Sequence, residues 1–353
     1  MHVHINNDNE LFLFIAHGVT TVQNTWGYNG WKFRIMGFPY QLKMREDIKQ
    51  GKILGPTIYT AGSILEGEPL THPFMKKIMT PEAGEKEVVD QKNSGYDFIK
   101  VYDNLDSSTY NAIVKKASEL KIPVKGHVPF AVGIDNTLKS GQISIDHLTG
   151  YIDPDAADFL IPENSIEKYA ELTKKAGVWN CPTIVIWQKR GLDEKKIDEM
   201  ANHPGMKHLS FMQKIFLRIS INELNKSIKY KGDYNKRITE INYKMVNALH
   251  KAGAKLLLGT DSGNPFVFPG WSVHEELQYL VNAGLSPYES IKTATVNPAE
   301  HLGKLHEFGT IEPGKNADLV LLDKNPLNDI ANISKISGVM IKGVWLSGTE
   351  LKK

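Results

Sequence analysis

The sequence predicts an α/β fold, a (β/α)8 TIM-like barrel followed by a small β unit. Three observations carry this reading. Short apolar runs rich in β-branched residues alternate with longer helical patterns over most of the 353 residues. Runs such as KLLLGTD (255–261) are apolar on both faces, as parallel strands covered by helices must be. Polar side chains of metal-ligand type close several of these runs, and in a barrel the C-terminal strand ends share one face.

The elements follow in order. MHVH at the start is the first strand and GVTTV (18–22) the second. A polar and aromatic loop comes next, then a helix ending near residue 51. PTIYTAG (56–62) is the third strand. A helix over 81–94 leads to DFIKVY (97–102), the fourth. Residues 107–120 are helical, with Ser107 or Ser108 as the N-cap. IPVKGHV (122–128) is the fifth strand, followed by a helix over 131–140. ISIDHL (143–148) is the sixth, with a helix over 163–176 behind it. VWNCPTIVI (178–186) is the seventh. A helix over 234–252 then leads to KLLLGTD, the eighth.

The segment 188–233 breaks this rhythm. It is rich in Lys, His and Met and reads as an insertion after strand seven, on the face that carries active sites in barrels. Two roles are open for it: a lid or substrate wall, and an extra packing helix. The barrel is expected over 1–305. From 306 to 353, short strands with Gly, Pro and Asn turns read as part of a small β domain.

Composition excludes several classes. The chain holds 42 Lys+Arg against 40 Asp+Glu, a net charge of +2, so it has no electrostatic footprint for nucleic acid or anionic membrane. One cysteine, Cys181, excludes an internal disulfide framework and Cys-rich zinc fingers. No run of 18 apolar residues exists to span a membrane. No signal-peptide pattern opens the chain, which points to the cytoplasm. A small-molecule substrate is expected, and a homo-oligomer is left open.

The chemistry-bearing residues sit at strand ends. His2 and His4 are two apart, so on a strand both imidazoles point to one side. Lys100 lies inside FIKVY, although lysine is almost never buried unpaired. His127 closes VKGHV, His147 closes SIDHL and Asp261 closes LLLGTD. Singly, each has an ordinary explanation: a hydrogen-bonded strand-end His, Asp261 capping the GTDSGNP turn, Lys100 paired with Asp97. Together, HxH followed by strand-terminal Lys, His, His and Asp in barrel order is a pattern that chance rarely produces. His17, His72, His203, His208, His250, His301 and His306 lack this context and read as surface or packing residues.

MHVH, GVTTV, FIKVY, GHV, DHL, GTDSG, HEELQYLVNAGLSPYESIKTATVNPAEHLG and GTIEPGKNADLVLLDKNPL together resemble the amidohydrolase superfamily of metal-dependent hydrolases. Within it the sequence is similar to the imidazolonepropionase-like and prolidase-like (Xaa-Pro dipeptidase-like) members. The resemblance runs over nearly the whole chain. It implies a site for two divalent ions: His2, His4 and Asp261 on the more buried ion, His127 and His147 on the second, and Lys100, carboxylated by CO₂, bridging them. His and carboxylate ligands suit Zn²⁺, with Mn²⁺, Co²⁺ and Fe²⁺ as alternatives. The implied reaction is hydrolysis of a C–N bond, an amide or cyclic amide, by a metal-bridging hydroxide. Asp261 would act as general base and then acid. Tyr102 would donate a hydrogen bond to the developing oxyanion, and His274 in WSVHEEL would face the substrate or support the ligands.

The superfamily carries several dozen residues before its HxH, whereas here HxH begins at residue 2. A truncated start and a natural N-terminal loss both explain this, and the first is favoured. It would reduce strand one to a stub, leave the C-terminal strands without N-terminal partners, and leave room for a preceding signal peptide. Dipeptidase, lactonase and phosphotriesterase activities would use the same ligands. A catalytically silent relative that only binds a ligand is the reading from a different class.

Overall fold

The computed structural model describes residues 1–27, 40–209, 211–229 and 232–352. The polar and aromatic loop expected after strand two lies, over 28–39, outside the described residues. Eight parallel strands form the framework: β1 (His2–Val3), β2 (Thr21–Asn24), β3 (Thr57–Thr60), β4 (Ile99–Val101), β5 (Val124–Gly126), β6 (Ser144–Asp146), β7 (Trp179–Cys181) and β8 (Gly259–Ser262). One parallel sheet runs β8-β1-β2-β3 and another contains β4-β5-β6-β7. Single parallel bridges, Ala61 with Phe98 and Asn180 with Leu256, lie where the two sheets adjoin. The two residues of β1 pair with both neighbours, His2 opposite Gly259 and Gln23.

Helices cover the strands, as apolar two-faced runs require. The helix Pro81–Asn93 begins on a Thr80 cap with Pro at the first turn. The helix Ser107–Glu119 is capped by Asp106, not by Ser107 or Ser108: the Asp106 carboxylate accepts from the backbone N–H of Ser108 and Thr109, each at 2.9 Å. The helix Tyr234–Ala252 buries Ile238, Ile241, Met245, Val246 and Leu249, a spacing of three and four, against the main core.

Two elements depart from expectation. Asn9–Ala16 forms a helix that the sequence reading did not anticipate, because NELFLFIA is apolar without a clear period. The seventh strand ends at Cys181 instead of 186. Thr183 adopts a left-handed conformation (φ 48°, ψ 48°), which breaks the extended run, and Ile184–Gln188 is helical.

The segment after strand seven holds the helices Glu194–Ala201 and Phe211–Ser227. Its Leu192, Ile197 and Ile221 pack on Phe266 and Phe268, which follow β8. At the C-terminal end, β9 (Leu319–Leu322), β10 (Ile336–Ile341) and β11 (Val344–Ser347) form an antiparallel sheet. Val339 and Ile341 of this sheet pack with Leu351 against Ile15 of the unanticipated helix.

Candidate functional site

The C-terminal strand ends open into a cavity of about 790 Å³. Its floor carries His4, Lys100, His127, His147 and Asp261, residues from five different strand ends. Backbone conformation brings them together. His147 (φ 61°) and Asp261 (φ 57°) both sit in the left-handed region, where a non-glycine residue is strained and held only by its surroundings. Two glycines make room. A Cβ at Gly126 would lie 2.2 Å from the Val101 carbonyl oxygen, and one at Gly259 would lie 2.6 Å from the His2 Cβ. The glycines of GHV and GTD are therefore steric requirements of the site.

Asp261 is the hub. Its Oδ1 lies 3.0 Å from His2 Nε2 and 2.7 Å from His4 Nε2, and its Oδ2 lies 3.8 Å from His147 Nε2. Ligand atoms of His2, His147 and Asp261 all fall within 4.8 Å of one another, and all three residues are buried. Burial alone would raise the Asp261 carboxyl, but His4 beside it, with hydrogen bonds from His2 and His4, holds it well below the usual range. Burial pushes His147 far below an ordinary histidine, so its ring is neutral.

The tautomers follow from the partners. The Thr183 hydroxyl donates to the Pro182 carbonyl at 2.8 Å, so it accepts from His147 Nδ1 at 2.6 Å. His127 Nδ1 donates to the acceptor-only carboxylate of Asp103 at 2.8 Å. In both rings Nε2 then carries the lone pair. His127 Nε2 is buried and has no hydrogen-bond partner among the described residues. A buried imidazole nitrogen with its lone pair unsatisfied is costly unless something binds there. The donor set of imidazoles and one carboxylate therefore fits a divalent ion.

Lys100 is buried and its ammonium contacts Asp146, not Asp97, which instead pairs with Arg45. Asp146 Oδ1 also lies 3.2 Å from His2 Nδ1. Tyr102 stacks on His127, ring centroids 3.8 Å apart, and burial together with Asp103 keeps its phenol protonated far above the usual range. His274 is not brought to the cavity. Its Nε2 lies 3.2 Å from the His17 carbonyl oxygen.

Sequence reasoning missed several residues. His72 lines the cavity, although it was read as surface or packing. Asp103, Thr183 and Asp146 support the predicted histidines; Asp103 and Thr183 carry no periodic or motif signal, and Asp146 opens the DHL motif, which was read only for its histidine. The segment after strand seven supplies Ser220, Leu224 and Ser227 to the cavity wall, so it both packs and lines.

The sequence profile described as the amidohydrolase family matches residues 13–346. Ochratoxinase of Aspergillus niger is 24% identical over 407 aligned positions, covering 99% of this chain and 74% of that protein. Imidazolonepropionase of Deinococcus deserti is 37% identical over 101 residues, 28% of this chain and 24% of the relative. Among solved structures, a bottromycin amidohydrolase superposes with a TM-score of 0.78 at 25% identity, covering 99% of this chain and 76% of that one. A Xaa-Pro dipeptidase with methionine bound in its active site shares the fold, with a TM-score of 0.69 at 20% identity and coverage of 98% and 85%.

Proposed function

The chain belongs to the amidohydrolase family, and on that premise we propose that this metal-dependent hydrolase opens a carbon–nitrogen bond of an amide or cyclic amide at the C-terminal ends of its parallel strands. One observation carries the reading: a single buried carboxylate, Asp261, takes His2 and His4 on one oxygen and faces His147 on the other.

His2, His4 and Asp261 would hold one ion, His127 and His147 the second, and Lys100 as a carbamate would join them. Zn²⁺ fits this donor set best, with Mn²⁺, Co²⁺ and Fe²⁺ as alternatives. When bound, the ions supply an activated water near neutral pH and polarise the scissile carbonyl.

The protein's own groups complete the reaction. Asp261, ionised and at hydrogen-bond range of two imidazoles, accepts a proton from the attacking water and returns it to the leaving nitrogen. Tyr102 is a neutral phenol lining the cavity, so it can donate to the oxygen on which negative charge develops. Trp26, Phe74 and Trp187 line the walls and exclude water around the scissile group. His274 takes no part.

The test is a metal assay followed by a substrate panel of N-acyl amino acids, dipeptides, cyclic amides, a lactone and a phosphotriester. About two ions per chain and turnover confined to the amide members are expected. Metal-loaded protein that turns over only the lactone or the phosphotriester would move the reading to those bonds.

A further inference from the structure

We propose that Glu276 is a positioning residue for the His147 imidazole, acting from the helix after β8 through Thr183. Glu276 is fully buried on the helix Trp271–Asn282. Its two oxygens accept one backbone N–H each, from Ile184 at 2.9 Å and from Val185 at 2.8 Å. These are the first two N–H groups of the five-residue helix Ile184–Gln188, which follows β7. A carboxylate 92 residues away thus fixes the start of that helix.

The residue just before the pinned N–H groups is Thr183, in the left-handed conformation. A β-branched residue there is strained and relaxes to extended backbone unless both sides are held. Glu276 holds the C-terminal side. The Thr183 hydroxyl donates to Pro182 and accepts from His147 Nδ1, which leaves His147 Nε2 with its lone pair 3.8 Å from Asp261. Trp187, on the same pinned helix, sets its ring against His147 edge-on at 6.2 Å. Releasing Ile184 and Val185 therefore frees Thr183, and with it the tautomer and ring angle of His147.

Glutamate is specific to this task. A glutamine offers one acceptor oxygen and turns its amide N–H₂ toward the second N–H donor. The proposal rests on the reading of His147 as a metal ligand. It differs from simple helix capping in making a prediction about metal affinity.

The experiment is a Co²⁺ titration of the metal-free full chain, followed by visible absorption, for wild type, Glu276→Gln, Thr183→Val and the double variant. Thermal unfolding of each metal-free protein is measured beside it. Each single change is expected to weaken Co²⁺ binding about tenfold, the range seen when a ligand's supporting partner is lost. The double variant is expected to lose little more than the worse single, because both changes break one chain of contacts. Unchanged Co²⁺ affinity in Glu276→Gln, or losses that multiply in the double variant, would overturn the proposal while leaving the metal reading intact. A wild-type protein that gives no Co²⁺ band overturns both. Should Glu276→Gln fail to fold, Glu276→Asp keeps both acceptor oxygens one methylene short. It is expected to show a smaller loss, again coupled to Thr183→Val, and a full-affinity Glu276→Asp that is additive with Thr183→Val refutes the link.

Discussion

His127 and Asp103 form a fixed pair at the cavity floor: Nδ1 donates to Oδ1 over 2.8 Å while Nε2 is buried without a partner. A carboxylate behind an imidazole sets its tautomer and raises its basicity, which is how metal-binding histidines are commonly supported. Asp103→Ala should therefore weaken metal binding about 10- to 100-fold with little change in the folded structure. Competition with a chromophoric chelator measures this directly. Unaltered affinity would mean that His127 stands outside the metal site.

Lys100 tests the bridge. Its ammonium contacts Asp146 in a site with three buried imidazoles nearby, and a carbamate would replace that positive charge with an anionic ligand. Lys100→Ala should lose one ion per chain and most activity, and short carboxylates should partly restore both. Carbon-13 NMR of protein equilibrated with labelled bicarbonate should show a carbamate signal that the variant lacks. Full metal content and rate in the variant would make the lysine structural.

The parallel strands were legible because short β-rich runs such as KLLLGTD alternate with helical patterns, and the strand-end ligands because their residue types are anomalous there. Burial of a lysine was a weaker signal than it looked. Lys125 of VKGHV is as buried as Lys100, but it is satisfied by Gln23 at 2.6 Å and lies over the Phe98 ring. VWNCPTIVI reads as one strand because Ile, Val and Thr favour extended backbone; the left-handed Thr183 is imposed by tertiary contacts from Glu276, which no local pattern encodes. His72 and Asp103 enter the cavity from connecting loops, where side-chain direction follows from the fold and not from period. His274 was drawn toward the site by its place after β8, but its helix turns the ring to His17.

Asp261 bears on the chemical step. As the ionised group shared by His2 and His4, it is placed to move the proton between water and leaving nitrogen. Asp261→Asn keeps the shape and one acceptor oxygen but cannot take a proton. Turnover should fall by about 10²–10⁴-fold, the usual contribution of general acid–base catalysis. Steady-state kinetics at saturating metal separates this loss from weaker metal binding. Wild-type turnover under those conditions would remove Asp261 from proton transfer.

The buried histidines of the metal-free protein should each take stability away as pH falls. Burial lowers His17, His72, His147, His203, His274 and His301 below the ordinary histidine value, His274 to about 4 and His301 to about 3. Between pH 6.5 and those folded-state values the unfolded chain binds protons that the folded chain refuses. Stability therefore falls as pH falls, by about 1.4 kcal/mol per pH unit for each fully shifted group. Buried carboxyls oppose this: burial raises Glu10 to about 8 and lifts Glu66 and Asp97 above the ordinary carboxyl value, so between the folded and unfolded values the folded state holds protons that the unfolded state releases. The histidine part is read by difference: from pH 6.5 to 4.5 the melting temperature of metal-free wild type should fall further than that of His274→Gln. Calorimetry across that window checks the sign, and His274→Gln should make the slope shallower by about one group. A slope unchanged in His274→Gln would show that this ring is not buried neutral in the folded state.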